Sequence, residues 1–330
     1  MHKPTGRHNM NTLNLGRPNL DIFADTLLDL ASKDRDILVV TGDSRGSGKL
    51  THFGESLPAQ IVEIGIAEQN LVGVSAGLAS AGKKVFAVSP ACFLTARSLE
   101  QVKNDVAYSD NPVKLVGISA GVSYGALGST HYSLHDLAVL QAINNIDIVV
   151  PADNFEAREA ILAAVNHPRP IYLRFGKRSM YDLHTPGTSF QVGKAIVLLQ
   201  GTDVTFLATG ETVAPAWMAC QLLEEKGISC GVVSLHTIKP LDVGAVLAAA
   251  KGSPRLITVE EHSVYGGLGS SVAALLMQAG VFPRLKIVGI PDEYTVSGSQ
   301  TDIFKHYGIS AEGLAATAVQ MMEETVRVSA

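Results

Sequence analysis

The residues of this chain best equipped for chemistry are few and far apart in sequence, and Glu68 is the most informative of them. It stands in Gly65-Ile66-Ala67-Glu68-Gln69-Asn70, heading a run to Gly82 made almost wholly of Ala, Gly, Ser, Val, Leu and Ile. That composition predicts a helix packed inside a core with a carboxylate at its start. A carboxylate in apolar surroundings has its charged form disfavoured and can hold a proton near neutrality. A glutamate in a first turn can equally just complement the helix dipole, and spacing alone leaves both roles open. His131 follows the loop Gly125-Ala126-Leu127-Gly128-Ser129-Thr130. An imidazole there can donate to a substrate oxygen or relay a proton, or it can be a solvated surface group. Phe93, at the end of a predicted strand, is either core or a stacking platform. Arg174 ends another strand, and its planar fork suits a phosphate.

Other stretches imitate motifs and fail them. Asp43-Ser44-Arg45-Gly46-Ser47-Gly48-Lys49-Leu50 lacks the first Gly and the final Ser or Thr of a P-loop. Gly266-Gly267-Leu268-Gly269 lacks the third Gly of a dinucleotide fingerprint, because Val272 stands there. Glu260-Glu261-His262 is no metal motif and reads as an interdomain hydrogen-bonding feature at a strand end. Cys92, Cys220 and Cys230 form no CxxC pair, so neither a metal centre nor a disulfide framework is expected, and a reducing, cytoplasmic setting follows.

The elements that must position these groups alternate. Predicted helices at 18–33, 66–82, 94–108, 134–143 and 154–166 interleave with apolar runs at 36–41, 84–88, 113–119, 147–150 and 171–175. Such alternation indicates an α/β fold with a mostly parallel sheet covered on both faces, whose strand ends build the site. Asp153 or Asn154 is the expected N-cap of the fifth helix. A second α/β unit repeats the style, with strands at 195–199, 204–208, 229–234 and 256–260 and helices near 213–226 and 269–280. The expected organisation is therefore an N-terminal extension over 1–16, a domain over 17–180, a linker over 181–191 and a second domain over 192–330.

Composition narrows the class. The 330 residues are 46% hydrophobic and 17% charged, which describes a compact two-domain enzyme rather than a disordered chain. The net charge of −5 and the lack of a basic stripe argue against a nucleic-acid partner. The polar start of the chain has no apolar signal-peptide core, and no run is long enough to span a membrane.

Gly65 to Asn70 with its small-residue helix, then Ser89-Pro90-Ala91-Cys92-Phe93, resembles the pyrimidine-binding domain of the transketolase family. The resemblance continues through Gly128-Ser129-Thr130-His131, Pro151-Ala152-Asp153-Asn154, Tyr172-Leu173-Arg174, Val259-Glu260-Glu261-His262 and Gly266-Gly267-Leu268-Gly269. It implies two parallel-sheet domains, a pyrimidine-binding domain followed by the family's C-terminal domain. It also implies thiamine diphosphate as cofactor, with Glu68 at N1′ of the aminopyrimidine, Phe93 stacked on that ring and Asp43 a further contact. His131 is then the second catalytic group, on the donor ketose, with Arg174, Arg17, Ser47 and Leu127 lining the sugar-phosphate site. The implied activity is transfer of a two-carbon ketol unit from a ketose phosphate to an aldose phosphate.

Departures from the family pattern carry information. Leu127 stands where transketolases usually have an Asp that reads a sugar hydroxyl, Ser119 where they often have His, and Ser129 where a Pro is common. A donor unlike the common straight-chain ketose phosphates is implied, such as the branched apulose 4-phosphate. No Gly-Asp-Gly diphosphate motif is present; the one Gly-Asp, Gly42-Asp43, continues as Ser-Arg. The resemblance thus implies one half of a split enzyme, with Mg²⁺ and the diphosphate held by a partner subunit and an α2β2 assembly. The β subunit of a 2-oxoacid dehydrogenase E1 component and a non-catalytic assembly subunit are the rival readings.

Overall fold

The computed structural model describes residues 13–328. A short strand, β1 (Leu15–Pro18), leads into the helix Asn19–Lys33. The first half then runs through β2 (Ile37–Thr41), β3 (Ile61–Glu63), β4 (Lys84–Pro90), β5 (Lys114–Ile118), β6 (Asp147–Val149), β7 (Ile171–Arg174) and β8 (Ser179–Tyr181). The second half supplies β9 (Ile196–Leu199), β10 (Val204–Ala208), β11 (Cys230–Ser234), β12 (Thr237–Lys239), β13 (Arg255–Ser263) and β14 (Arg284–Ile290). Two α/β sheets result. One has the order β12-β6-β7-β5-β4-β2-β3 and the other β14-β13-β10-β11-β9. All pairings are parallel except those of the edge strands β12 and β9. Central strands β5 and β10 are buried along their whole length, as a sheet covered on both faces requires.

The two halves are more entangled than the sequence predicts. β12 belongs by sequence to the second half yet pairs antiparallel with β6 at the edge of the first sheet, Thr237 opposite Val149. β1 and β8 form a separate two-stranded ribbon, so the expected extension is already strand from Leu15; its residues 1–12 lie outside the described residues. The apolar cores are shared too. Leu207, Leu235 and Ile238 of the second half pack in one cluster with Leu137 and Ile148 of the first. Val122 and Tyr132 of the first half pack in the core of the second, among Phe206, Val259 and Ile303.

Local signals explain most helix starts. The Asp153 carboxylate accepts from Glu156 N at 2.8 Å and caps Asn154–Val165, and Asp242 does the same for Val243–Gly252 through Ala245 N at 3.1 Å. Glu260 accepts from Leu268 N and Gly269 N, satisfying the start of Leu268–Gln278 from inside the second domain. The helix expected over 94–108 is broken into Ala91–Ala96, Leu99–Gln101 and a π-helical turn at Val102–Tyr108. Ser98 marks the break, its hydroxyl bonded back to Leu94 O. The helix Glu68–Ser80 is not enclosed on all sides. Leu71, Val72, Ser75, Ala76 and Ala79 are buried, but Gln69, Asn70, Gly77 and Ser80 are exposed, and Ile66 just before it is 72% exposed. Ser75, Ala76 and Ala79 sit in the core, while Gly77 and Ser80 leave part of the other face open.

The cysteine expectation is corrected. Cys220, near the end of the helix Val213–Glu224, and Cys230, at the start of β11, form a disulfide with Cα atoms 5.3 Å apart. A tight helix-to-strand return brings them together without any CxxC spacing, so cysteine usage no longer argues for a reducing compartment. Cys92 is free and buried. No helix among the described residues is long and apolar enough to cross a membrane.

The segment expected as a linker has little regular structure, but it is clamped. His184 places Nδ1 2.7 Å from Asp153 Oδ2 and Nε2 3.2 Å from Glu156 Oε1, while Leu183 N donates to Asp153. Burial opposes charge on this imidazole, yet its bonds to Asp153 and Glu156 outweigh burial and raise its pKa to about 9. A histidine with a raised folded-state pKa stabilises fully below its ordinary value of 6.5, and that contribution is lost as pH rises through about 9. His184→Gln should therefore be less stable than wild type at pH 6. The gap, followed by denaturant unfolding, should narrow by about 3 kcal/mol between pH 6 and 10. A gap that stays constant with pH would show that His184 is not charged in the folded protein.

Candidate active site

The chemistry-bearing residues converge at the C-terminal ends of the strands of the first sheet, where open parallel sheets form their clefts. Glu68 follows β3, Phe93 follows β4, the loop carrying His131 follows β5, and Lys177 follows β7. The turn from Asp43 to Lys49 follows β2. It packs beside the end of β5, since a Cβ on Gly48 would lie 3.5 Å from Ile118.

Glu68 is 9% exposed, and its surroundings are not purely apolar. Arg97 Nη1 donates to Glu68 Oε1 at 3.0 Å. The same guanidinium lies over the Phe93 ring, 4.1 Å from its centroid. The Phe93 ring meets the His131 imidazole edge-on at 5.4 Å, and His131 in turn meets Tyr124 at 5.3 Å. Lys177 Nζ lies 4.2 Å from the Tyr124 centroid. Glu68, Arg97, Phe93, His131, Tyr124 and Lys177 therefore form one continuous array. Burial holds the Tyr124 phenol above its ordinary range, and the charge of Asp43 reaches it. Burial also lowers Lys177, with the Lys49 charge adding to the effect, so the Asp43–Lys49 turn borders the array.

Arg174 is not in this cleft. It is 6% exposed, and two of its three nitrogens are engaged: Nε with Asp136 Oδ2 at 2.8 Å, and Nη2 with Ser133 O and Glu261 O at 3.1 and 2.9 Å. Nη1 faces Glu261 Oε2 at 3.9 Å. The expected phosphate anchor is thus largely turned inward, between Asp136 and Glu261 of the second domain. Arg17 also stands apart, on β1, paired with Asp25 at 2.7 Å. Ser47 is exposed on the turn beside Lys49. Leu127 is 56% exposed on its loop. Ser119 is fully buried beside Tyr124, with φ at 53°, a conformation that non-glycine residues adopt mainly where surroundings enforce it.

Three members of the array were missed in the sequence. Arg97 carried a usable signal, since it lies one helical turn beyond Phe93 and an (i, i+4) pair shares a face. Tyr124 and Lys177 carried none beyond their closeness to the glycine-rich loop and to Arg174. Of the Glu260-Glu261-His262 stretch, the last two do bridge the halves: Glu261 Oε1 accepts from Val122 N at 3.0 Å, and His262 Nε2 accepts from Ala138 N at 3.4 Å. Among the described residues no group of three His, Cys, Asp or Glu is arranged to hold a metal ion.

Comparison with known proteins gives the family. Residues 19–181 match the family model "Transketolase, pyrimidine binding domain" and residues 193–314 match "Transketolase, C-terminal domain". The chain is 50% identical to a subunit of the apulose-4-phosphate transketolase of Phocaeicola vulgatus over 303 residues, 92% of this chain and 96% of that protein. It is 34% identical to a 6-deoxy-6-sulfo-D-fructose transketolase subunit of Clostridium sp., covering 92% of this chain and 94% of that one. Among solved structures, a split-gene transketolase described as an inactive β4 tetramer superposes with a TM-score of 0.85 at 31% identity, covering 92% of this chain and 98% of that one. With both domain models matched in order and relatives aligned along nearly their whole length, the chain belongs to the transketolase family.

Proposed function

We propose that this chain is the pyrimidine-binding subunit of a split transketolase that uses thiamine diphosphate and moves a two-carbon ketol unit from a ketose phosphate to an aldose phosphate. The observation that carries the reading is the position of Arg97. Its flat guanidinium both hydrogen-bonds the Glu68 carboxylate and stacks on Phe93. A flat aminopyrimidine with a protonatable ring nitrogen offers the same two contacts, so the residues present fit that end of the cofactor. Glu68 would hold a proton at the ring nitrogen, Phe93 would fix the ring plane, and Arg97 would swing away with its half-exposed side chain. When bound, the cofactor supplies the acidic carbon that cleaves the ketose and the electron sink for the two-carbon unit.

His131, edge-on to Phe93, is set to donate to or accept from the oxygens of the donor sugar. Lys177 would meet a phosphate at the rim, with Ser47 and with Lys49, 3.4 Å from Asp21, beside it. Mg²⁺ and the diphosphate would be held by a partner subunit carrying the diphosphate-binding domain, giving an α2β2 enzyme. The relationship to two named transketolase subunits supports this assembly. The 50% identical relative is named for apulose 4-phosphate, and together with Leu127 and Ser119 this supports a branched ketose phosphate as donor. Phosphorylated sugars are internal metabolites, so the enzyme would work in the cytoplasm.

The direct test is reconstitution. Alone, the chain should bind thiamine diphosphate weakly and transfer no ketol unit. With the diphosphate-binding subunit and Mg²⁺ it should sediment as a heterotetramer and act on a panel of ketose phosphates, apulose 4-phosphate foremost. Full activity from the isolated chain would overturn the split-subunit reading.

In the reconstituted enzyme, Glu68→Gln should cut kcat by about 10²–10⁴-fold, since the amide is isosteric but cannot manage the proton. His131→Ala should lower kcat/KM for the ketose while leaving thiamine diphosphate affinity nearly unchanged. A swap of these two phenotypes would reverse the assigned roles.

Leu127→Asp should leave the fold intact, because the side chain is exposed. It should move preference towards straight-chain ketose phosphates by at least about tenfold, as a group that reads a hydroxyl discriminates strongly. An unchanged preference across the panel would show that Leu127 does not face the sugar.

A further inference from the structure

The loop that carries Leu127 and His131 is held mainly by the second domain. Its base is closed by Ser133 N donating to Gly121 O at 2.8 Å. Glu261 lies directly beneath that closure. Its Oε1 accepts from Val122 N at 3.0 Å and from Gln300 Nε2 at 2.7 Å, and Gln300 Nε2 also reaches Glu211 Oε2 at 2.7 Å. Gly121 has φ at +61°, and a Cβ there would fall 2.1 Å from Glu261 Cδ, so only glycine permits this approach. Further along, Ser129 Oγ is 3.1 Å from Thr295 Oγ1, and a Cβ on Gly125 would lie 2.7 Å from Gly298 O. At the far end Tyr132 is buried in the second domain's core, its hydroxyl donating to Gly125 O and reaching Val296 O at 3.3 Å. Apart from Arg174 on Ser133 O and the packing of His131 on Phe93 and of Tyr124 on Lys177, the contacts that fix the loop from outside lead to the strand end at Glu261 or to the segment 295–300.

We propose that Glu261 and Gln300 are positioning residues for the reaction: from the second domain they fix the loop 121–133, and through it they set His131 and Leu127 against the donor sugar. The anchoring of the loop rests on its own contacts, whereas its bearing on the sugar rests on the function proposed above. Burial, reinforced by the charge of Glu211, pushes the Glu261 carboxyl up to about 8. A neutral acid is close in shape to an amide, and both loop-holding bonds land on the single atom Oε1. Gln at position 261 can therefore reproduce them, whereas Ala cannot. Gln300→Met removes the bridging donor while keeping the side-chain volume.

Two measurements on the full chain decide the matter. By hydrogen exchange, Glu261→Ala and Gln300→Met should accelerate the amides of residues 122–132 and leave the helix Glu68–Ser80 unchanged, and Glu261→Gln should restore protection. In the enzyme reconstituted with its diphosphate-binding partner, Glu261→Ala and Gln300→Met should lower kcat/KM for the ketose at least about tenfold. Affinity for thiamine diphosphate should hold, and Glu261→Gln should recover the rate. Wild-type protection of the loop in folded Glu261→Ala and Gln300→Met would overturn the clasp. A loosened loop with unaltered donor kinetics would overturn its part in the reaction. If the reconstituted wild type transfers no ketol unit, the proposed function falls, and the exchange data still decide whether the clasp exists.

Discussion

Arg174 is a permanent cation at the end of a central strand, and only 6% of it is exposed. Burying such a group is tolerable only if every donor is met, and breaking one buried pair typically costs about 3–5 kcal/mol. The surroundings are arranged to that end. Asp136, at the start of the helix Asp136–Ala142, faces it and also accepts from the Tyr172 hydroxyl at 2.8 Å. Burial alone would push the Asp136 carboxyl up, but the Arg174 charge and the hydrogen bonds hold it below its ordinary range. Across the boundary, the second domain contributes the Glu261 carbonyl, with the Glu261 carboxyl group 3.9 Å from Nη1. His262 is beside them, lowered by burial to about 4 and therefore neutral. One guanidinium thereby ties β7, a helix, the base of the His131 loop and β13 into a single unit.

That tie explains why the halves share so much. β12 completes the edge of the first sheet, the apolar clusters cross the boundary, and the interdomain segment is held down by His184 instead of hanging free. Hinge motion between the halves would have to break a buried ion network together with a sheet edge. The site's exposed side chains at the strand ends, notably Arg97 and Lys177, lie outside that network.

The sequence made the large elements legible because their apolar periods were long and clean: Asn19–Lys33, β4, β5, β7 and the Asp153-capped helix lie within a few residues of expectation. It failed where tertiary partners overrule local pattern. Residues 66–82 read as enclosed because small apolar residues give no hint of which face stays open. Arg174 read as a ligand anchor because an arginine at a strand end looks the same whether its counter-ions lie outside or inside. The Cys220–Cys230 bridge and the docking of β12 depend on chain returns that no spacing rule encodes. At the site, Glu68, Phe93 and His131 were legible as types in a recognisable order, and the structure gathers them into one array with Arg97 and Tyr124 between and beside them.

The array is closed on one side and open on the other, and the asymmetry is chemical. Towards the sheet, every buried charge has a protein partner. Towards solvent lie Leu127, Lys49, Ser47 and Asp43, together with the bare small-residue flank of Glu68–Ser80. The exposed flank of that helix is Gln69, Asn70, Gly77 and Ser80, polar or small throughout. The groups that would read a sugar sit on a loop anchored in the second domain, and those that would hold the pyrimidine sit on the first sheet. In the proposed enzyme the remaining wall comes from another chain, so donor selection would be divided among three bodies. Only the one through Arg174 and Glu261 is rigidly coupled within this chain. Substitutions that leave the cofactor end untouched can then still redirect substrate choice from the far side of the domain boundary.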